Sequence, residues 1–433
     1  MIFNNKRVIE YESFFKKIIN SNQFFILILI VFVISLAVTV YTRGGKDLKV
    51  DLFGVEQILQ GQSPYANPLD PNRAIFRYAP GFTILARPFL LTSKMVTPYQ
   101  FENILPSVFA WYLAEILCLI AIAIVMLKLI PSPTKETSIR NLKISFLMAS
   151  PLIGYELANG QNKIFALCFM LLAIFMFEEN RLFASAIFFS LALTIYIALL
   201  PFLFYFLLRK KEYIFSFIVG IFIVFFIFPS LIFGLRFNMF LLKEWFLRAL
   251  KPFLFTNSYA TYIDLRISSQ ALPSAIGRMF VSGRTGHFNY LIPPLSLHVI
   301  IKMFSVMIFL LSLVAVWKRP KAISRGLDYV IFLILPLILP QYCIFYTWSW
   351  AFVFYFVVFN YISGPEAAIV DKRILLILVL ILFSASALIS IKPANQYSIL
   401  FWATFVFWLG IVSISIRQTY KSFKFKKPAI GIN

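Results

Sequence analysis

Apolar runs about 17 to 22 residues long recur along the chain between residues 23 and 416, separated by polar or basic intervals. A helix of that length crosses roughly 30 Å of hydrocarbon, where the backbone must satisfy its own hydrogen bonds. The pattern predicts spanning helices near 23–41, 105–129, 144–158, 164–178, 182–196, 197–208, 213–234, 297–317, 326–342, 348–363, 373–391 and 398–416. Several are short, which puts the expected count at ten to twelve. The predicted fold class is an all-α polytopic membrane protein, a single integral membrane domain over residues 1–433. The first run starts past residue 20, exceeds the apolar core of a signal peptide and has no small-residue cleavage site behind it, so it reads as an anchor.

Two polar-bearing stretches are too long to be connectors, residues 42–104 and 235–296, and long loops in compact proteins usually carry function. The first holds Asp47, Asp51, Glu56, Asp70, Arg73, Arg77, Arg87 and Glu102 among aromatic and apolar residues. Within it, DLFGVEQILQ (51–60) and GFTILARPFLL (81–91) predict short amphipathic helices lying along the membrane interface. Three further corners are unusually polar: YELANGQNK (155–163), SSQALPSAIGR (268–278) and PQYCIFYTWSW (340–350). If the helices bundle, these corners meet over one cavity on the side that carries Asp51.

Composition fits the helical pattern, with 61% hydrophobic and 13% charged residues. The net charge of +22 invites a nucleic-acid partner, but its distribution speaks for orientation instead. Lys6, Arg7, Lys16 and Lys17 precede the first run, and Lys135, Arg140 and Lys143 fall in the next inner loop. Arg209–Lys211, Lys318–Arg325, Lys372–Arg373 and a basic tail follow at alternate intervals. This alternation predicts cytoplasmic termini and an Asp51 loop on the outer face; the expected location is a bacterial-type inner membrane. Cys118, Cys168 and Cys343 are scattered through apolar runs, and only two histidines are present, so neither a disulfide framework nor a transition-metal site is expected. No phosphate-loop or dinucleotide fingerprint occurs, and no cofactor is expected; a divalent metal near Asp47, Asp51 and Glu56 is compatible with their spacing but not required by it.

Each candidate residue has a plainer role beside the chemical one. Asp51 could cap a helix, Arg77 and Arg278 could anchor at the interface by their stems, and Gln161 and Asn162 could join neighbouring helices. Tyr65, Tyr78 and the aromatic corner 345–350 could be belt residues at the headgroup level. Glu115, inside an apolar run, is costly unless paired or wet, and reads either as a proton relay or as a partner for an arginine.

Taken in order, the run from Asp51 through GQSPY to RYAPGF, then GQNK, then TIYIALLPFLFYFLLRKK, then SSQALPSAIGR, resembles glycosyltransferase family 87 over roughly residues 40 to 350. That family comprises polyprenol-phosphate-mannose-dependent mannosyltransferases of the GT-C superfamily. The resemblance implies a GT-C-type bundle and transfer, with inversion, of a hexose from a polyprenyl-phosphate carrier to a hydroxyl of a glycolipid or glycan outside the membrane. It also implies a catalytic base in the first outer loop, matched here by Asp51, and mannose as the default sugar. Two departures bear on specificity. Where relatives carry a lysine before a proline, this chain has Tyr196, and a late Trp-Asp-His-His cluster is replaced by FYTWSW, with Tyr346 and Thr347 near the histidine positions.

Such a transfer needs one carboxylate to take the acceptor proton, and cations or amides to stabilise the leaving phosphate. Arg77, Lys163, Lys251, Arg266, Arg278 and Arg284 lie on the expected side, and Arg278, Arg77 and Lys163 are the preferred phosphate contacts. Gln161, Asn162 and Gln270 would order the sugar or the loops, and Tyr65, Tyr78, Tyr196 and Tyr346 would line the substrate. The expected partners are therefore a polyprenyl-phosphate sugar, a glycan or glycolipid acceptor and the bilayer, and no nucleic acid. A lipid-linked sugar flippase is the alternative; it predicts related halves and broken helices at mid-membrane. A structural scaffold predicts no cluster around Asp51.

Overall fold

The computed structural model of the chain describes residues 46–65, 76–91, 95–97, 100–101, 105–251, 269–284, 287–317, 325–340, 343–365, 367–388 and 396–424, with a few isolated positions besides. The expected span 23–41 lies almost wholly outside the described residues, as do Asp70, Arg73, Glu102 and Arg266.

Helix α1 (Lys46–Leu59) precedes a turn at Tyr65, and the RYAPGF segment leads into the short α2 (Phe82–Ala86) and a 3-10 turn at Arg87–Phe89. A two-stranded ribbon, β1 (Met95–Thr97) with β2 (Gln100–Phe101), then enters α3 (Leu105–Leu129). Next come α4 (Lys135–Asn159), α5 (Lys163–Glu178), α6 (Leu182–Ile195), α7 (Phe202–Arg209) and α8 (Tyr213–Phe233), the last with a π turn at Phe222–Ile227. Helix α9 (Leu235–Trp245) follows and packs back on the bundle through the buried Asn238, Leu241 and Trp245. After it, α10 (Leu272–Phe280) runs into the ribbon β3 (Val281–Arg284) and β4 (His287–Tyr290). Helices α11 (Pro294–Val316), α12 (Gly326–Ile338), α13 (Ala351–Ser363), α14 (Ile369–Ala387) and α15 (Ile399–Lys424) complete the bundle.

The helix positions follow the apolar runs closely, and the chain is an all-α polytopic membrane protein. Among the described residues, four helices are long and apolar enough to cross a membrane alone: Leu105–Leu129, Tyr213–Phe233, Ser296–Val316 and Ile399–Tyr420. The pair α4 and α5, joined through a 118° bend, makes up to a fifth. The expected count of ten to twelve is thus not reached by length and composition. Several runs become shorter helices, such as α6, α7 with the 3-10 turn before it, and α12.

Two classes of surface separate the helices. All thirteen residues of α12 are buried, as expected of a helix apolar on every side that sits at the centre of a bundle. Helix α3 instead buries Val108, Trp111, Ile122 and Met126 while leaving Phe109, Leu113, Leu117, Ile120 and Ile124 exposed. An exposed apolar stripe of this length suits lipid and not water.

Helix α1 packs its apolar face on protein. Its Leu48, Leu52, Val55 and Ile58 recur at helical spacing and are all buried against protein, each contributing about 1.5–3 kcal/mol of burial. Gly54 allows the close packing: a β-carbon there would fall 2.2 Å from the Phe76 ring, which is itself packed against Tyr65, Tyr78 and Phe82. Residues 46–65 and 76–91 are therefore folded onto the bundle.

Candidate functional site

The site begins with the joint between α4 and α5. Thr134 starts α4, its hydroxyl accepting the Thr137 amide at 3.1 Å. Gly160 ends it with φ of 64°, a left-handed conformation that glycine adopts without strain. The Gly160 and Gln161 amides turn back to the Leu157 and Glu156 carbonyls, and α5 leaves in a new direction at Lys163.

That turn sets three consecutive side chains against the segment that carries Asp47, Asp51 and Tyr78. The Gln161 amide donates to the Asp47 carboxylate. Asn162 donates through Nδ2 to Asp51 Oδ2 at 3.1 Å, and its Oδ1 accepts from Lys163 Nζ, also at 3.1 Å. The Lys163 ammonium lies 5.4 Å from the centre of the Tyr78 ring and 4.7 Å from that of Tyr196. The Tyr78 hydroxyl also bonds Asp51.

Asp51 is 5% exposed and stands in the second turn of α1, so the helix-cap reading of it fails. Burial raises its pKa well above the usual carboxylate range, and the charge of Asp47 one turn away raises it further. Lys163, Tyr78 and Asn162 pull in the opposite direction. Burial and the Asp51 charge likewise hold the Tyr78 phenol well above its ordinary value, so it acts as a donor.

The other corners close around this group. The Trp350 indole donates to the Lys163 carbonyl at 3.1 Å and meets the Tyr196 ring edge-on at 5.8 Å. The Tyr196 hydroxyl donates to the Pro336 carbonyl at 2.5 Å, one of the last-turn carbonyls of α12 that lack a helical donor. The Gln270 backbone N–H donates to the Cys343 carbonyl at 2.8 Å, and Ser269 bridges Ile344. Corners 155–163, 269–278 and 343–350 are thereby joined by direct contacts.

The remaining expected residues have varied positions. Tyr65 is buried and its hydroxyl donates to the Tyr78 carbonyl at 2.6 Å, so it braces the RYAPGF turn and offers no open face for a sugar. Arg77 is exposed, its carbonyl held by the Trp245 indole, and its charge is felt at Lys163. Arg278 donates to the Ser398 hydroxyl and the Ser269 carbonyl, which ties α10 to the start of α15. The backbone of Tyr346 lies in the 3-10 turn Phe345–Trp350, and its side chain is outside those described. Glu115 is buried in α3 close enough to Glu156 for their charges to interact. Among the described residues, no three His, Cys, Asp or Glu side chains cluster to hold a metal ion.

Two neighbours of the site went unassigned from sequence: Glu156 and Ser349. Glu156 is wholly buried, accepts the Ile164 amide at 2.8 Å and takes the Ser349 hydroxyl on its other oxygen. A signal was present, since a carboxylate in an apolar run one turn before GQNK invites the same question as Glu115.

No curated protein matches the chain. The family model of glycosyltransferase family 87 matches residues 76–340, which takes in RYAPGF, the GQNK turn, Tyr196 and Arg278 but begins after Asp51. With more than half of its length so matched, the chain belongs to glycosyltransferase family 87 and is a membrane glycosyltransferase.

Proposed function

We propose that this glycosyltransferase moves a hexose, by default mannose, from a polyprenyl-phosphate carrier to a hydroxyl of a glycolipid or glycan, with Asp51 as the general base. One observation carries the reading. Asp51 is a buried carboxylate of raised basicity, held by Asn162 and Tyr78, with a lysine ammonium one hydrogen bond beyond. A carboxylate in that state takes a proton from an attacking hydroxyl more readily than an exposed one.

A lone base suffices because a phosphate leaving group needs charge stabilisation and no strong acid. Lys163 supplies the nearest positive charge, and Arg77 adds to it. Lys163 also lies over Tyr196, so its ammonium compensates for the cation that the tyrosine replaces. Attack from the side of Asp51 with departure toward Lys163 inverts the anomeric carbon. The outer face of an inner membrane, with cytoplasmic termini, is the location that the basic loops favour. In this reading 42–104 is the catalytic outer loop and 235–296 a second outer segment.

The test is sugar transfer from polyprenyl-phosphate-mannose in membranes carrying wild type or Asp51→Asn at matched expression. Transfer by wild type and none by the variant supports the reading. Equal transfer by both removes Asp51 as base. No transfer by wild type from any lipid-linked sugar, combined with movement of such a lipid across vesicles, would favour a flippase.

A further inference from the structure

The joint between α4 and α5 fixes the aim of Gln161, Asn162 and Lys163 together, so a small rotation there moves all three off Asp47, Asp51 and the two tyrosines. Asn162 stands at the N-cap of α5, and asparagine there normally turns its side chain onto a free amide of the first helical turn. It makes no such bond. Its amide group is engaged by Asp51 on one side and Lys163 on the other. The free amide of Ile164 is met instead by Glu156, which belongs to the preceding helix, at 2.8 Å. The second oxygen of Glu156 takes the Ser349 hydroxyl, so a single wholly buried carboxylate ties α4, α5 and the 345–350 turn together.

We propose that Glu156 is a positioning residue of the transferase site: it caps α5 in place of Asn162 and thereby frees the Asn162 side chain to hold Asp51. The proposal rests on the reading of Asp51 as the base. Its two hydrogen bonds do not require a charge. In Glu156→Gln the amide oxygen still accepts Ile164 N–H, and the amide nitrogen donates to the Ser349 oxygen. Glu156→Ala loses both links, and Glu156→Asp keeps the charge but loses the reach.

The experiment compares these variants in purified wild-type-like preparations by transfer kinetics and by amide hydrogen exchange over residues 162–167. Glu156→Gln is expected to lower kcat by no more than about threefold, with exchange close to wild type. Glu156→Ala is expected to lower kcat by about a hundredfold with KM little changed, as misplacement of reacting groups does, and to speed exchange across 162–167. If the Ala variant does not accumulate, Glu156→Asp is read in its place with the same expectation. Wild-type kcat in the Ala or Asp variant overturns the proposal. So does an equal loss in Gln and Ala with unchanged exchange, which would make the charge the active feature. Exchange reports on the cap whether or not sugar moves, so an inactive wild type defeats the transferase reading without deciding the cap.

Discussion

Buried charge occurs at both ends of the helix pair formed by residues 197–209 and α12, and the two ends treat it differently. At one end the Arg209 guanidinium meets Asp328 at 2.7 Å, and Arg325 pairs directly with Glu178 beside Tyr205 and Tyr329. At the other, beside Tyr196 and Pro336, Asp51 is bonded by an amide and a phenol, and Lys163 reaches it through Asn162. Eight residues of α12, about 12 Å of rise, separate Asp328 from Pro336. A direct buried ion pair locks its carboxylate as an anion and removes it from chemistry. A carboxylate bonded by neutral donors keeps a high proton affinity and can still exchange its proton with a substrate.

This difference can be broken from either side. The largest effect is expected from Asp51→Asn, which should lower transfer by about 10²–10⁴ in a membrane assay. The same change should raise the melting temperature above the raised pKa of Asp51. The sign follows from linkage: with its pKa raised by folding, Asp51 contributes stability below its unfolded value that is lost as pH climbs through the folded one, and asparagine escapes that loss. The two melting curves should converge at acid pH. Next, Lys163→Met should lower kcat by about 10²–10³, the loss typical of removing one donor to a developing anion.

At the opposite end, Arg209→Met should leave Asp328 buried without its guanidinium and cost about 3 kcal/mol of stability in a detergent melt, with turnover per folded molecule intact. A loss of turnover with no loss of stability would erase the distinction between the ends. The smallest effects sharpen the base assignment. Removing the Asp47 charge in Asp47→Asn should move the acid limb of the rate profile to lower pH, and Tyr78→Phe should move it to higher pH, each by about one unit or less. Shifts in the same direction would show that the limb does not belong to Asp51.

Much of the fold was legible because apolar length alone marks a helix that must satisfy its own backbone. The runs at 105–129, 164–178, 182–196 and 213–234 became helices with almost those bounds. Gly160 was a readable stop, but the 118° bend to the new helix was not, since the contacts around it include a bond between Glu156 and Ser349, 193 residues apart. Asp51 was picked out as chemistry-bearing, yet its place inside α1 was obscured because the amphipathic pattern reads only from Asp51 onward, whereas the helix already includes Lys46–Val50. The Gln161 and Asn162 contacts fall on Asp47 and Asp51, partners that the sequence did not name for them. Arg278 illustrates the limit. Its bonds to Ser269 and to Ser398, the latter 120 residues away, form a cross-tie that no local pattern encodes.

Trp350 donates its indole hydrogen to the carbonyl of Lys163 and lies against Tyr196. The emission of an indole depends on the field around its nitrogen and on nearby quenching groups. Under the proposed reading, an anionic head settling beside Lys163 would change both, so the unlabelled protein would report ligand arrival by its own emission. The part of the change that Trp350→Phe removes would belong to this indole.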